Sequence, residues 1–205
     1  MDKSSVDSRK PDWDQGRRTL RAAALSFVEQ GWPVVPGPLC DGLRYIGPGA
    51  ARGARATAPV VAAEDGSLDT RVVAHWWAER PYTVLAPLGV AFDVLCAPTL
   101  LATVATGLPE FRDSLCPVAM SPQGARFLVR PGGVLDPDLA GVRGVEIQRR
   151  GAFLPLPPSR VVGGSMNWWV TPAAARGIGD AEAVQTALLA AAVTLPETRK
   201  AIAVA

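Results

Sequence analysis

The chain has 205 residues, of which 48% are hydrophobic and 20% are charged, a size and composition that suit one full hydrophobic core. The net charge of +2 does not by itself indicate a nucleic-acid-binding protein. No run of about 18 uncharged apolar residues and no apolar signal segment is present, so we expect a cytoplasmic protein with no membrane partner.

The N-terminal part predicts a leader, one helix and a long loop. Residues 1–16 are the expected disordered leader, because the start of the chain is polar and lacks periodicity. Apolar residues recur at three- and four-residue steps from Arg17 to Gln30, and this spacing predicts a helix that ends at Gly31. A short strand in WPVVP and a glycine-, proline- and alanine-rich surface loop follow.

The middle of the chain predicts a helix, two strands and a second helix. Ser67 or Asp69 can cap a helix that contains two adjacent tryptophans and ends before Pro81. The apolar runs YTVLAP and GVAFDVL predict strands. Pro98 suits the first turn of the next helix, so a strand-to-helix junction is expected at residues 96–99.

The second half of the chain has a different pattern. Short β-like runs are separated by glycine and proline, which predicts an antiparallel sheet, and a last helix is expected after a cap at Asp180. Helices mixed with hairpin-type strands indicate an α+β fold. We expect one domain over residues 17–195, followed by a tail at residues 196–205.

The junction after the strand GVAFDVL carries two candidate chemical groups. Asp93 could bind a metal ion, but a single carboxylate in a short strand more often pairs with an arginine or caps a helix. Cys96, beside a helix N-terminus, could be an activated thiolate. No histidine lies nearby in the sequence to act as its base, which favours a small buried side chain. The three cysteines are too far apart in sequence for a disulfide framework or a zinc site.

Four stretches of the chain are informative when they are taken in order. They are ALSFVEQGWPVVPG (24–37), TRVVAHWWAERPYTVLAPLGVAFDVLCAP (70–98), SPQGARFLVRPGG (121–133) and GVEIQRRGAFLPLPPS with the later NWWV (144–170). Together they resemble the bifunctional DNA primase/polymerase N-terminal domain, a branch of the archaeo-eukaryotic primase superfamily, and especially its short stand-alone actinobacterial members. The resemblance spans about residues 20–170.

The resemblance implies a primase/polymerase-like core, in which helices pack against an RRM-like antiparallel or mixed sheet. It also implies a role in DNA replication as a nucleotidyltransferase. Such chemistry needs two acids one residue apart at a strand end, because they hold the two metal ions. The family adds a histidine after a TPSGG-like turn and a third acid on a later strand.

The family's catalytic pattern is replaced in this chain. The two metal-binding acids fall at Cys96 and Pro98, and the histidine position holds Phe127. Glu146 could stand for the third acid, so Asp93 and Glu146 are the weak catalytic candidates that remain. This pattern predicts a pseudoenzyme with no bound metal and no other cofactor.

Arginines supply the candidate binding residues. Between residues 121 and 160 six arginines stand against three acids. Arg126, Arg149 and Arg150 could hold the phosphates of a nucleotide or of single-stranded DNA, because a guanidinium matches phosphate oxygens. Exposed arginines are also common on antiparallel sheets, so both interpretations stay open.

Three hypotheses follow. The first, which we favour, is a catalytically inactive primase/polymerase-like domain with residual nucleotide or nucleic-acid binding. The second is an active DNA primase/polymerase that uses Mg²⁺ or Mn²⁺ and recruits acids such as Asp93, Asp136 or Glu146. The third is a regulatory domain whose partner is another protein and which binds no nucleic acid.

Overall fold

A computed structural model describes residues 13–47, 50, 58–63 and 65–195 of the chain. The described part contains six helices: α1 (Trp13–Glu29), α2 (Thr70–Trp76), α3 (Thr99–Gly107), α4 (Pro109–Asp113), α5 (Pro137–Ala140) and α6 (Ala181–Thr194). Its strands are β1 (Val35–Gly37), β2 (Leu39–Cys40), β3 (Tyr45–Ile46), β4 (Thr83–Pro87), β5 (Asp93–Ala97), β6 (Val118–Ser121), β7 (Gly124–Val129), β8 (Glu146–Gln148), β9 (Phe153–Pro155), β10 (Arg160–Val161), β11 (Gly164–Ser165) and β12 (Asn167–Val170). Helices mixed with antiparallel sheets confirm the predicted α+β class.

The first helix begins earlier than its apolar pattern indicates. α1 starts at Trp13, so residues 13–16, which we expected in the leader, are helical. The Arg17 guanidinium donates to Asp14 and to the backbone oxygen of Ala78, a tertiary contact that the helical periodicity does not reveal. The rest of the expected leader and the expected tail lie outside the described residues. Within the described residues, the helices are too short or too polar to cross a membrane.

The larger strands form two antiparallel sheets. The five-stranded sheet has the order β12-β6-β7-β5-β8, so β5 lies between β7 and β8. The three-stranded sheet has the order β1-β4-β9. Two small hairpins, β2–β3 and β10–β11, complete the set. Because β5 is an interior strand, the strand-to-helix junction at its end has neighbouring strands on both sides.

Two hydrophobic clusters lie on opposite faces of the five-stranded sheet. One cluster packs α3, α4 and α6 against alternate sheet residues, including Leu95 and Phe127. The other joins the opposite sheet face, including Val94 and Cys96, to α1, α2 and the three-stranded sheet. Because successive strand residues point to opposite faces, β5, β6 and β7 each supply residues to both clusters. We call these two faces the helix face and the opposite face.

Polar caps define the start of two helices that the sequence predicts. Asp69 accepts hydrogen bonds from the backbone N–H groups of Arg71 and Val72, so Asp69 rather than Ser67 caps α2. Asp180 caps α6 in the same way. Pro98 lies at the N-terminus of α3, directly after β5, where its fixed φ suits a helix start.

The distribution of strands between sheets differs from the sequence expectation. β4 and β5 follow each other in the chain but belong to different sheets, and β9 leaves the second-half sheet to pair with β4. The expected surface loop after β1 contains the hairpin β2–β3. These pairings are long-range, and the local patterns that predict a strand carry no information about its partner.

Candidate functional site

The strand-to-helix junction that the sequence singles out lies at the end of β5, an interior strand of the five-stranded sheet. All five residues of β5 are buried, and α3 begins directly after Pro98. Cys96 is only 3% exposed and points to the opposite face. Cys96, where the family resemblance places the first metal-binding acid, is therefore enclosed by the fold.

Cys96 lies between an arginine and a glutamate on the neighbouring strands. Its cross-strand partners are Arg126 on β7 and Glu146 on β8. Directly opposite residues of antiparallel strands share a face, so the three side chains form one row across the sheet. We call this row the 126–96–146 row. Two strand spacings separate Arg126 from Glu146, roughly 10 Å between their Cα atoms.

The environment of Cys96 keeps its thiol protonated. Burial raises the pKa of Cys96 to about 11, and the Arg126 guanidinium opposes this rise only in part. The negative charge of Glu146 and its hydrogen bond with the thiol raise the pKa further. A thiol of this pKa is almost entirely neutral at pH 7, so Cys96 is a poor nucleophile and a poor metal ligand.

Pro98, where the family resemblance places the second metal-binding acid, is held between two glycines. A Cβ atom at Gly144 would lie 3.4 Å from the Pro98 ring. At Gly124, whose φ is +117°, a Cβ atom would lie 2.5 Å from the backbone oxygen of Ala97. Only glycine allows the backbone of the β6–β7 turn to approach the end of β5 this closely. Proline itself offers no side-chain donor to a metal.

The structure does not bring the two weak catalytic candidates together. Asp93 points to the helix face, whereas Glu146 shares the opposite face with Cys96. One Asp93 oxygen accepts a hydrogen bond from the backbone N–H of Gly132 at 3.0 Å, and the other has no partner among the described residues. Asp93 is 2% exposed and supports the segment after β7 rather than a shared ion.

Asp136, a third candidate acid, has a local structural role. Its carboxylate accepts a hydrogen bond from the backbone N–H of Asp138 and caps α5. Among the described residues, no group of three or more histidine, cysteine, aspartate or glutamate side chains could hold a metal ion. The donors that are present therefore do not fit the pair of divalent ions that the family resemblance implies.

The structure also shows where Phe127, the residue at the expected histidine position, lies. Phe127 is fully buried on the helix face, where its ring packs edge-on against Phe111 at 5.8 Å. Since neighbouring strand residues point to opposite faces, a side chain at position 127 cannot join Cys96. The β7 residue on the Cys96 side is Arg126, which is half-buried. A positive side chain therefore lies beside the buried thiol.

The three predicted binding arginines do not form one cluster. Arg126 belongs to the 126–96–146 row, whereas Arg149 and Arg150 lie beyond β8 in the turn toward β9. Arg149 donates to the backbone oxygen of Gly133, and Arg150 forms an ion pair with Asp65 at 3.0 Å. Only Arg126 remains close to the junction. The local sequence contains no signal for the partners of the other two.

The β10–β11 hairpin contacts the turn between β6 and β7. The sequence pattern does not predict this contact. The backbone oxygen of Val162, in the β10–β11 turn, accepts a hydrogen bond from the Gln123 amide at 2.8 Å. The backbone N–H of Gly163 donates to Gly42, in the turn of the β2–β3 hairpin. Val161 is buried in the same cluster as Cys96. The β10–β11 hairpin therefore connects the SPQG turn to the N-terminal half of the fold.

Each of the two adjacent tryptophan pairs contributes one indole to packing. Trp77 is fully buried, and its indole N–H donates to the backbone oxygen of Tyr82, while Trp76 is only partly buried. In the second pair Trp168 packs beside the ring of Phe27, and Trp169 is 56% exposed. Each pair thus has one inner and one outer indole.

The comparison with known protein families agrees with this architecture. The sequence model described as bifunctional DNA primase/polymerase, N-terminal, matches residues 24–184, from the middle of α1 into α6. No curated protein and no solved structure matches the chain. The family match includes both sheets and the β5–α3 junction. This chain therefore belongs to the family of bifunctional DNA primase/polymerase N-terminal domains.

Proposed function

We propose that this chain is a primase/polymerase-like domain that does not polymerise and that binds nucleotides or single-stranded DNA through the surface at Arg126. The 126–96–146 row carries the proposal. A polymerase needs carboxylates there to hold two metal ions, and this row has a protonated thiol beside a single carboxylate. The domain is then a pseudoenzyme within its family.

The chemistry of the available donors supports the absence of two-metal catalysis. Mg²⁺ and Mn²⁺ prefer oxygen ligands, and Glu146 is the one carboxylate in the 126–96–146 row. Its oxygen already accepts a hydrogen bond from the Gln148 amide at 2.6 Å. Asp93 points to the other face of the sheet. We therefore propose that the domain uses no metal cofactor.

The position of Arg126 supports the binding part of the proposal. Its guanidinium donates to the backbone oxygen of Ala125 at 2.9 Å and forms no ion pair with a described acidic residue. A half-buried guanidinium with donors left over is suited to a phosphate, because its planar fork matches two phosphate oxygens. The positive charge also needs no metal ion to attract a triphosphate.

A primer-extension assay tests the loss of catalysis. We expect the wild-type protein to add no nucleotides with either Mg²⁺ or Mn²⁺. The matched control is the double variant Asp93→Ala, Glu146→Ala, which lacks both weak candidates. Metal-dependent synthesis by the wild type that disappears in this variant would overturn the proposal and favour the active enzyme.

Binding measurements test the role of Arg126. We expect Arg126→Gln to weaken binding of a nucleoside triphosphate, and the exposed Arg112→Gln on α4 serves as the matched control. Affinity for ligands held by phosphate contacts must fall as salt rises. Binding that is absent or insensitive to salt would instead favour the regulatory domain with a protein partner.

A further inference from the structure

A second basic surface lies on α1, away from the 126–96–146 row. Arg17, Arg18 and Arg21 line an open cavity of about 310 Å³, together with Ala22 and Leu25. Spacings of one, three and four residues bring these side chains onto neighbouring parts of one helix surface. We call this set the α1 arginine surface.

The buried side of α1 holds the helix in place and leaves the arginines outward. Ala24, Phe27 and Val28 are buried in the cluster that joins α1 to the sheets, whereas Arg18 and Arg21 are exposed. The α1 arginine surface is therefore a feature of a packed helix. Substitutions at Arg18 and Arg21 remove no buried contact.

The charges of this surface are only partly neutralised within the described residues. Arg17 forms an ion pair with Asp14 at 3.2 Å and donates to the backbone oxygen of Ala78, so it is oriented by the fold. Arg18 and Arg21 form no ion pair or side-chain hydrogen bond with another described residue. In the sequence from residue 13 to residue 28, Asp14 is the one acid. A net positive charge results.

We propose that the α1 arginine surface binds the phosphate backbone of a single-stranded nucleic acid. A chain of regularly spaced phosphates can meet several guanidiniums at once, whereas one small anion can satisfy only one or two of them. The side chains of Ala22 and Leu25 supply an apolar floor between the charges, and sugars or bases can lie on it. The cavity volume is at the lower end of the range for small-ligand pockets, about 300–1,000 Å³, which suits one nucleotide unit at a time.

This inference extends the proposed function, but it uses other residues. A nucleoside triphosphate is expected to depend on Arg126 and not on the α1 arginine surface. A longer oligonucleotide is expected to depend on the α1 arginine surface. Binding of the oligonucleotide therefore tests this inference, and binding of the nucleoside triphosphate tests the proposed function.

The experiment compares two double variants with the wild-type protein. Arg18→Gln, Arg21→Gln removes two charges of the α1 arginine surface, and Arg112→Gln, Arg143→Gln removes two exposed arginines elsewhere. The probes are a fluorescent oligothymidylate and a nucleoside triphosphate, titrated at several salt concentrations. Thermal melting checks that all proteins are folded.

We expect the α1 variant to bind the oligothymidylate roughly tenfold more weakly at low salt and with a smaller salt dependence. Each lost phosphate contact lowers the slope of log affinity against log salt by about 0.7 for a single strand. Nucleoside triphosphate binding stays unchanged, and the control variant behaves like the wild type. The inference would be overturned if oligothymidylate binding were weakened equally in both variants or were not weakened in the α1 variant. It would also be overturned if the wild type bound no oligothymidylate.

Discussion

Cys96 and Glu146 are direct cross-strand partners on β5 and β8, and the Glu146 carboxylate helps to raise the pKa of the Cys96 thiol. The Glu146 side chain is exposed, whereas Cys96 is buried beside it. The buried thiol therefore lies next to a carboxylate. A single substitution can test this pairing.

The first prediction concerns Cys96→Asp. Two carboxylates on paired strands repel each other, with Cβ atoms about 5 Å apart, and a divalent cation between them removes the repulsion. We expect the variant to melt below the wild type in a chelator and to regain stability with Mn²⁺, as ligand binding to the folded state requires. Cys96→Ser is the neutral control and should not respond. If Mn²⁺ does not raise the melting temperature of Cys96→Asp, the side chains at positions 96 and 146 do not converge on one ion.

The second prediction concerns alkaline pH. Burial raises the pKa of Cys96 in the folded protein from 9.0 to about 11, so the folded state retains the thiol proton where the unfolded state loses it. The stabilisation from the neutral thiol is fully present below pH 9 and is lost as pH rises to 11. We expect Cys96 to account for a fall of roughly 2–3 kcal/mol in the free energy of unfolding.

Urea denaturation at a series of pH values measures this fall. Cys116, whose pKa burial raises to about 12, and Tyr45, whose pKa burial also raises to about 12, act in the same direction. The Cys96→Ala variant is therefore the reference, because the other groups contribute equally to both proteins. Identical pH profiles for wild type and variant would show that Cys96 is not protonated more strongly in the folded state.

The third prediction concerns Asp93. Replacing Asp93 by alanine leaves the backbone N–H of Gly132 without its acceptor, so we expect a loss of about 1–3 kcal/mol in the free energy of unfolding. Asp93→Asn should cost less, because an amide oxygen can accept the same hydrogen bond. Denaturant unfolding of both variants measures the difference. A variant that keeps wild-type stability would indicate that Asp93 does not support this segment.

The fourth prediction concerns Ser159, which ends the PPS stretch of the family resemblance. Its hydroxyl oxygen accepts a hydrogen bond from the backbone N–H of Val84 on β4 at 2.9 Å, and both residues are fully buried. We expect Ser159→Ala to lower the free energy of unfolding by about 1–3 kcal/mol, since the buried N–H then has no partner. Ser165→Ala on β11 is the matched control, for which a much smaller change is expected. Equal effects of the two substitutions would argue against this bond as the cause.

Local patterns were sufficient for the main elements and for part of the site. Apolar periodicity and caps placed α1, α2 and α6, because helix formation and capping depend on residues a few positions apart. The two-residue period of a strand also separates Asp93 from Cys96, since positions 93 and 96 differ by an odd number and point to opposite faces. The sequence also shows directly that neither Cys96 nor Pro98 is an acid.

Strand pairing and register determined which side chains meet at the candidate site. Cys96 and Glu146 are fifty positions apart in the chain, and only the pairing of β5 with β8 makes them neighbours. The choice between Arg126 and Phe127 as the residue beside Cys96 depends on a register in which a slip of one residue reverses the faces. The sequence by itself therefore determined where α1, α2 and α6 form. The tertiary structure alone decided which remaining charges meet, because strand pairing joins residues that no local interaction connects.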